Sequence, residues 1–323
     1  MSRAILTFDY ELFLGKKTGT AQKSIIEPTN RVIELLQKYN AKAIFFVDVT
    51  YLMTLEKFKH KDLKPITQQL KKIIDIGSSV ELHLHPQWLD AKLKGNEWEF
   101  ISFDRYRLHS LKDFEIDNLF TQGVNFLEKI TNQKVLSFRA GGWSITPFKP
   151  LKEAFIKNNI KLDMSVLSGF YEEALPMHYY DFRNTPHKEY YKFSDDVNIE
   201  NTKGDFLEIP VTTYYMNGYD LLINLLIRKL NRDNIFGDGQ GLESANIKED
   251  IIKRVFEKNL RKATIEGQSL YFFKKSLKQI KDRELLSYVM HPKTLNQTAL
   301  KNMEYVLKKY ETLNSADIIK EYF

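Results

Sequence analysis

Along the first half of the chain, short apolar runs alternate with longer segments whose apolar residues recur every three or four positions. Residues 4–9 read as a buried strand, Ala4-Ile5-Leu6-Thr7-Phe8-Asp9. A helix is predicted over 28–39, opened by Pro28 and carrying Val32, Leu35, Leu36 and Tyr39 on one face. Lys42 to Val49 holds the run Ala43-Ile44-Phe45-Phe46-Val47, the near-continuous pattern of a strand covered on both sides. A helix over 63–76, a strand over 79–85, a helix over 113–131 and a strand over 134–138 follow. This alternation predicts a parallel sheet with helices packed outside it.

Beyond residue 140 the pattern loosens. A helix over 148–159 leads into a strand from Ile160 to Val166. An aromatic stretch over 168–206, with Tyr179, Tyr180, Tyr190, Tyr191 and Phe193, carries no clear period. A strand from Phe206 to Tyr214 precedes helices over 218–231 and 247–263, with Gly237 to Gly241 as the loop between them. A strand over 285–290 and a helix over 297–310 close the series. No linker, repeat or low-complexity tract divides residues 1–323, so one barrel-like α/β domain with insertions is the expectation.

Composition narrows the chemistry. Hydrophobic residues at 43% and charged residues at 28% describe an ordinary globular protein, and 323 residues can bury a sizeable core. With no cysteine, any metal must be held by nitrogen and oxygen. The formal charge of +6 comes from lysines spread over helical faces rather than from a dense basic block. That distribution argues against a nucleic-acid partner and leaves room only for weak attraction to an anionic membrane surface or substrate. The first apolar run is too short, and too soon followed by acids, to be a signal peptide or a membrane span. Cytoplasmic residence is the expectation.

The residues with chemical potential fall at strand ends. Ser79-Val80-Glu81-Leu82-His83-Leu84-His85-Pro86 places His83 and His85 on one face, because side chains alternate along a strand. Two imidazoles converging there form half of a transition-metal site. In Thr7-Phe8-Asp9-Tyr10-Glu11, Asp9 and Glu11 share a face in the same way, at the carboxyl end of the first strand. Arg139 precedes Gly141 and Gly142, Asp163 lies in Leu162-Asp163-Met164-Ser165, and His291 ends the apolar run Ser287-Tyr288-Val289-Met290. Each has a bland reading as a cap, a turn or a core group. Five such groups at successive strand ends point to a site.

In the order of these motifs the chain resembles the polysaccharide deacetylase family, the NodB-homology domain, over about residues 3–310; the 168–206 and 215–280 regions match poorly. The resemblance implies a distorted (β/α) barrel of seven strands and a divalent metal, commonly zinc. It also implies hydrolysis of an N- or O-acetyl group on a sugar. By the same resemblance Asp9 is the catalytic base, Glu11 the metal-binding acid, Arg139 the group that orients the base, and His291 the general acid partnered by Asp163. Asp9 and Glu11 are separated by Tyr10, where the family's commonest pattern has adjacent acids, so their roles are exchangeable. His85 before Pro86 matches the second family histidine, while Glu81 stands at the usual place of the first. His83 is assigned as the other ligand because its imidazole suits zinc and converges with His85. Trp88, Trp143, Tyr214 and Tyr215 are candidate sugar-stacking surfaces. The family context suggests a cytoplasmic step in surface-glycan assembly, such as lipopolysaccharide or capsule. Two competing readings stand beside it, a metal-free retaining glycosidase on a related barrel and a non-catalytic sugar-binding member of the fold.

Overall fold

The computed structural model of the chain describes residues 2–95, 97–174, 178–231, 233–241 and 255–323. Seven parallel strands form its centre: β1 (Arg3–Tyr10), β2 (Ile44–Asp48), β3 (Ser79–Leu84), β4 (Ser137–Ala140), β5 (Leu162–Asp163), β6 (Phe206–Glu208) and β7 (Leu285–Met290). Their order across the sheet is β7-β1-β2-β3-β4-β5-β6, all neighbours parallel. The antiparallel strand Tyr191–Phe193 flanks β6, and Glu311–Thr312 pairs with the first residues of β1. The predicted α/β architecture and its seven strands are present, as a sheet curled into an incomplete barrel.

Between β6 and β7 there is no ladder. The chain leaving β6 crosses that seam instead. Thr212 N–H donates to the Ser287 carbonyl at 3.0 Å, Ala263 N–H to the Thr212 carbonyl at 2.7 Å, and Val289 N–H to the Ala263 carbonyl at 3.1 Å. These bonds satisfy edge groups that a closed barrel would pair by itself.

Helices cover the outside: α1 (Glu27–Lys38), α2 (Val49–Lys57), α3 (Leu63–Asp75), α4 (Asp113–Thr131), α5 (Lys149–Lys157), α6 (Gly218–Asn231), α7 (Leu270–Gln279), α8 (Gln297–Leu307) and α9 (Ser315–Tyr322). The periodic segments form helices as predicted, though on α1 the buried face is Val32, Ile33 and Leu36, with the expected Leu35 and Tyr39 only half-buried; on α3 Ile66, Leu70 and Ile73 are buried. Helix α2 was hidden because it continues the apolar run of β2 without a break. Asp48 starts it, its carboxylate accepting from Tyr51 N–H at 3.4 Å.

Five boundaries depart from expectation, among them the strand predicted from Ile160 to Val166, which pairs only over Leu162–Asp163. The strand predicted over 134–138 pairs only from Ser137, because the Leu136 and Ser137 N–H groups are bonded to the Glu81 carboxylate at 2.8 and 2.9 Å. The Phe206–Tyr214 run breaks at Pro210, which has no N–H to give a ladder, and restarts as an antiparallel ribbon, Thr213–Asn217 with Lys258–Lys262. That ribbon replaces the end of the predicted 247–263 helix, whose residues 247–254 lie outside the described ones. The aromatic stretch is also more regular than expected, since Tyr171–Ala174 pairs with His178–Asp181. Among the described residues no helix is long and apolar enough to cross a membrane.

The sheet has two differently built faces. Toward the helices, Phe120, Phe138, Phe148, Phe155, Phe193 and Phe206 form one aromatic cluster with centroid spacings of 4.8–5.9 Å. Inside the curl, Ile5, Ile44, Phe46, Leu162, Met164, Leu207, Ile209 and Leu285 fill the lower layer. Phe155 touches four rings of the outer cluster and is fully buried. Phe155→Ala is expected to cost about 3–5 kcal/mol by transfer and cavity terms, read as a lower urea midpoint at unchanged slope.

Candidate metal centre

Moving up each strand from that apolar layer, the interior side chains turn polar. On β1, Ile5 gives way to Thr7, Asp9 and Glu11; on β3 the series is Glu81, His83, His85; on β4 it is Ser137, Arg139. The two-residue repeat carries one face of each strand out of the core and into a site at the carboxyl ends. All of these residues are buried.

Glu11, His83 and His85 offer donor atoms that lie within 4.8 Å of one another. Glu11 Oε2 is 2.7 Å from His85 Nε2 and 3.2 Å from His83 Nε2, and the two Nε2 atoms are 3.0 Å apart. The His83 Nδ1 is 2.7 Å from the Arg139 carbonyl. An N–H donated there leaves Nε2 as the free donor, the arrangement that orients metal-binding imidazoles. A threonine relay places His85: Thr50 Oγ1 accepts the His85 N–H at 2.9 Å and donates to Asp48 at 2.6 Å. Gly141 leaves room for the ring, since a Cβ there would lie 2.4 Å from the Leu84 carbonyl and 2.8 Å from His85. Two imidazoles and one carboxylate fit a divalent ion of the zinc type.

Arg139 is the hub beside this set. Its Nη1 donates to Asp9 Oδ1 at 2.6 Å and Thr7 Oγ1 at 2.7 Å, and its Nε to the Met164 carbonyl at 2.9 Å. Burial pushes the Asp9 carboxyl up, but Arg139, with His291 and His83, outweighs it and holds the pKa below the usual range. Asp9 Oδ2 is 3.5 Å from His291 Nε2. On the other side of that ring, Nδ1 is 3.4 Å from both Glu266 oxygens, and Glu266 also accepts the His291 backbone N–H.

Asp163 stands elsewhere. Leu162 and Met164 point into the interior core, so Asp163 between them faces the helices. There it accepts from Ser165 Oγ at 2.7 Å and sits beside Glu208. The expected pairing with His291 is therefore corrected: the carboxylate behind that histidine is Glu266. Glu81, at the place of the family's first histidine, bonds backbone at the foot of β4, and burial raises its pKa to about 7. Trp88 and Tyr214 are buried, Trp88 within a cluster of Tyr51, Trp98 and Phe100, so neither offers a sugar platform. Trp143 is half-buried next to Arg139, and Tyr215 is exposed.

Sequence reasoning missed two site groups. Lys293 Nζ donates to Glu11 Oε1 and to the Leu12 carbonyl, both at 2.8 Å. Burial raises the Glu11 pKa, yet Lys293, His85 and His83 bring it well below the usual range. The second is Glu266, which comes from the region that matched no motif. The nearest signal for Lys293 was its position two residues beyond His291, across Pro292.

Neither a protein-family model nor a curated protein sequence matches the chain. Solved structures do. A Mycobacterium smegmatis protein assigned as a polysaccharide deacetylase aligns with 99% of this chain and 90% of its own, at a TM-score of 0.51 and 14% identity. The chain has the polysaccharide deacetylase fold. A 4-alpha-glucanotransferase from Thermococcus litoralis reaches the same TM-score of 0.51 at 8% identity, over 99% of this chain and 38% of that one. A family 4 carbohydrate esterase pseudoenzyme from Bacillus anthracis aligns with 97% of this chain and 63% of its own, at a TM-score of 0.43 and 14% identity. The deacetylase-fold barrel here thus carries a group able to bind a divalent metal, a carboxylate clamped by arginine, and a histidine between two carboxylates.

The outward Asp163–Glu208 pair generates a stability prediction. Burial, together with Asp163, raises the Glu208 pKa well above 4.5. A carboxyl raised in the folded state contributes stability that is complete below its unfolded pKa and is lost as pH rises through the folded value. Glu208→Gln should therefore gain melting temperature over the parent at pH 8, with a smaller gain at pH 5. An equal change at both pH values would contradict this linkage.

Proposed function

We propose that the chain is a metal-dependent hydrolase that removes an N- or O-acetyl group from a sugar or glycan precursor. The observation that carries this reading is the convergence of Glu11, His83 and His85 next to an Asp9 held ionised by Arg139. A divalent ion, zinc by the chemistry of the donor set, would be held by Glu11, His83 and His85, where it polarises a carbonyl and acidifies water.

The protein groups supply the proton transfers. Asp9 takes the proton of the attacking water, its charge secured by Arg139. His291, 3.5 Å from Asp9, lies within reach of the same reacting centre and delivers a proton to the departing amine or alcohol. Glu266 fixes its ring from behind. Lys293 holds one Glu11 oxygen and leaves the other turned to the histidines. Acetylated glycan precursors of a cell-surface polysaccharide, handled in the cytoplasm, are the substrates and setting this reading favours.

The fold likeness to a glucanotransferase brings a second reading, acid–base chemistry on a glycosidic bond by two carboxyls. That chemistry needs one carboxyl kept protonated. Asp9 and Glu11 are both held below their ordinary values by adjacent cations, which favours the hydrolysis of an acetyl group.

The expected outcome is a near-stoichiometric divalent metal by elemental analysis and acetate release from acetylated sugars. The double variant His83→Ala, His85→Ala should lose both. Asp9→Asn and His291→Ala should each keep the metal and lower kcat by roughly 100- to 10,000-fold. Glycosidic cleavage by a protein that takes up no metal would sink the proposal.

A further inference from the structure

Most charges of the site are already committed. Asp9 meets Arg139, Glu11 meets Lys293, and Glu266 lies against His291. Lys262 differs. Among the described residues no carboxylate stands within 4.0 Å of its ammonium, which lies over the Trp143 ring, 4.9 Å from the centroid. It is not a solvated surface lysine either: burial lowers its pKa, and it feels the charges of Glu266, Asp9 and Arg139.

Its placement is rigid. Lys262 ends the ribbon strand paired to Thr213, and Ala263 next to it is bonded to Thr212 and Val289 across the barrel seam. Val289 lies two residues before His291. Trp143 is also held in an unusual state, with φ of +62°, a conformation that a bulky side chain rarely adopts. Strained backbone of this kind gathers where a side chain must be aimed. Here it sets the indole against two cations, Arg139 at 5.6 Å and Lys262 at 4.9 Å from its centroid.

The charge balance points the same way. Four carboxylates, Asp9, Glu11, Glu266 and, behind the histidines, Asp48, stand with three cations, Arg139, Lys293 and Lys262. A divalent ion added to this set leaves a positive surplus, and a partly buried site favours a substrate that offsets it. Resting on the hydrolase reading above, we propose that Lys262 and Trp143 form a subsite for an anionic substituent, a carboxylate or a phosphate, on the sugar that carries the acetyl group.

The test uses three probes: N-acetylglucosamine, its 1-phosphate and the corresponding uronic acid. Affinity for the zinc-loaded protein is read by calorimetry and turnover by acetate release. At least one anionic probe should bind roughly tenfold more tightly than the neutral sugar, the scale of a charge-assisted hydrogen bond. Lys262→Met should abolish the difference and Lys262→Arg should retain it; whichever probe loses more identifies the anion. Equal or absent affinity for all three probes overturns the proposal. So does an anion preference that survives Lys262→Met, which would place the anion on the metal. Anion-selective binding without acetate release keeps the subsite and defeats the hydrolase reading, whereas acetate release without anion preference does the reverse.

Discussion

The buried guanidinium of Arg139 is the constraint on which the site depends. Sealed from water, Arg139 directs its Nη1 and Nε donors to fixed acceptors, which come from β1 through Thr7 and Asp9 and from the end of β5 through the Met164 carbonyl. The same residue's carbonyl holds His83. One position on β4 thereby sets the charge of Asp9 by its side chain and the orientation of the His83 ring by its backbone. The lowered Asp9 pKa and the oriented His83 ring are two results of one buried arginine.

The second organising principle is the change of polarity along the interior face of each strand. Its lower layer is hydrocarbon, with Ile5, Ile44, Phe46 and Leu285, and needs no partner beyond close packing. The upper layer is almost wholly ionisable and stable only because the charges answer one another: Asp9 with Arg139, Glu11 with Lys293 and the histidines. Charged groups can crowd there because the layer below fixes the strands that carry them.

How much of this was legible in the sequence varies with the range of the interactions. The parallel sheet, its seven strands and the shared face of His83 and His85 follow from local periodicity, and so does the pairing of Asp9 and Glu11 on one side of β1. Asp163 was misread because the same rule was not applied to it: with Leu162 and Met164 facing inward, the residue between them has to face outward. Lys293 and Glu266 could not be reached by periodicity. Their roles come from contacts across the barrel seam and across 282 positions of chain, where no local pattern marks the partner. Helix α2 was concealed for the opposite reason, an apolar run that continues from strand into helix.

That separation along the chain has a temporal side. During synthesis from the amino terminus, Glu11, His83 and His85 have all been made once residue 85 is added, while His291 and Lys293 come after β7, in the turn that follows it. The pairing of β7 with β1 joins residues 282 positions apart, Arg3 with Leu285, and is slow to find because the loop it closes is long. The nascent chain therefore carries its donor atoms through most of translation before the lysine that restrains Glu11 exists. If this set takes up an ion as proposed, when the ion arrives matters as much as how tightly it is held.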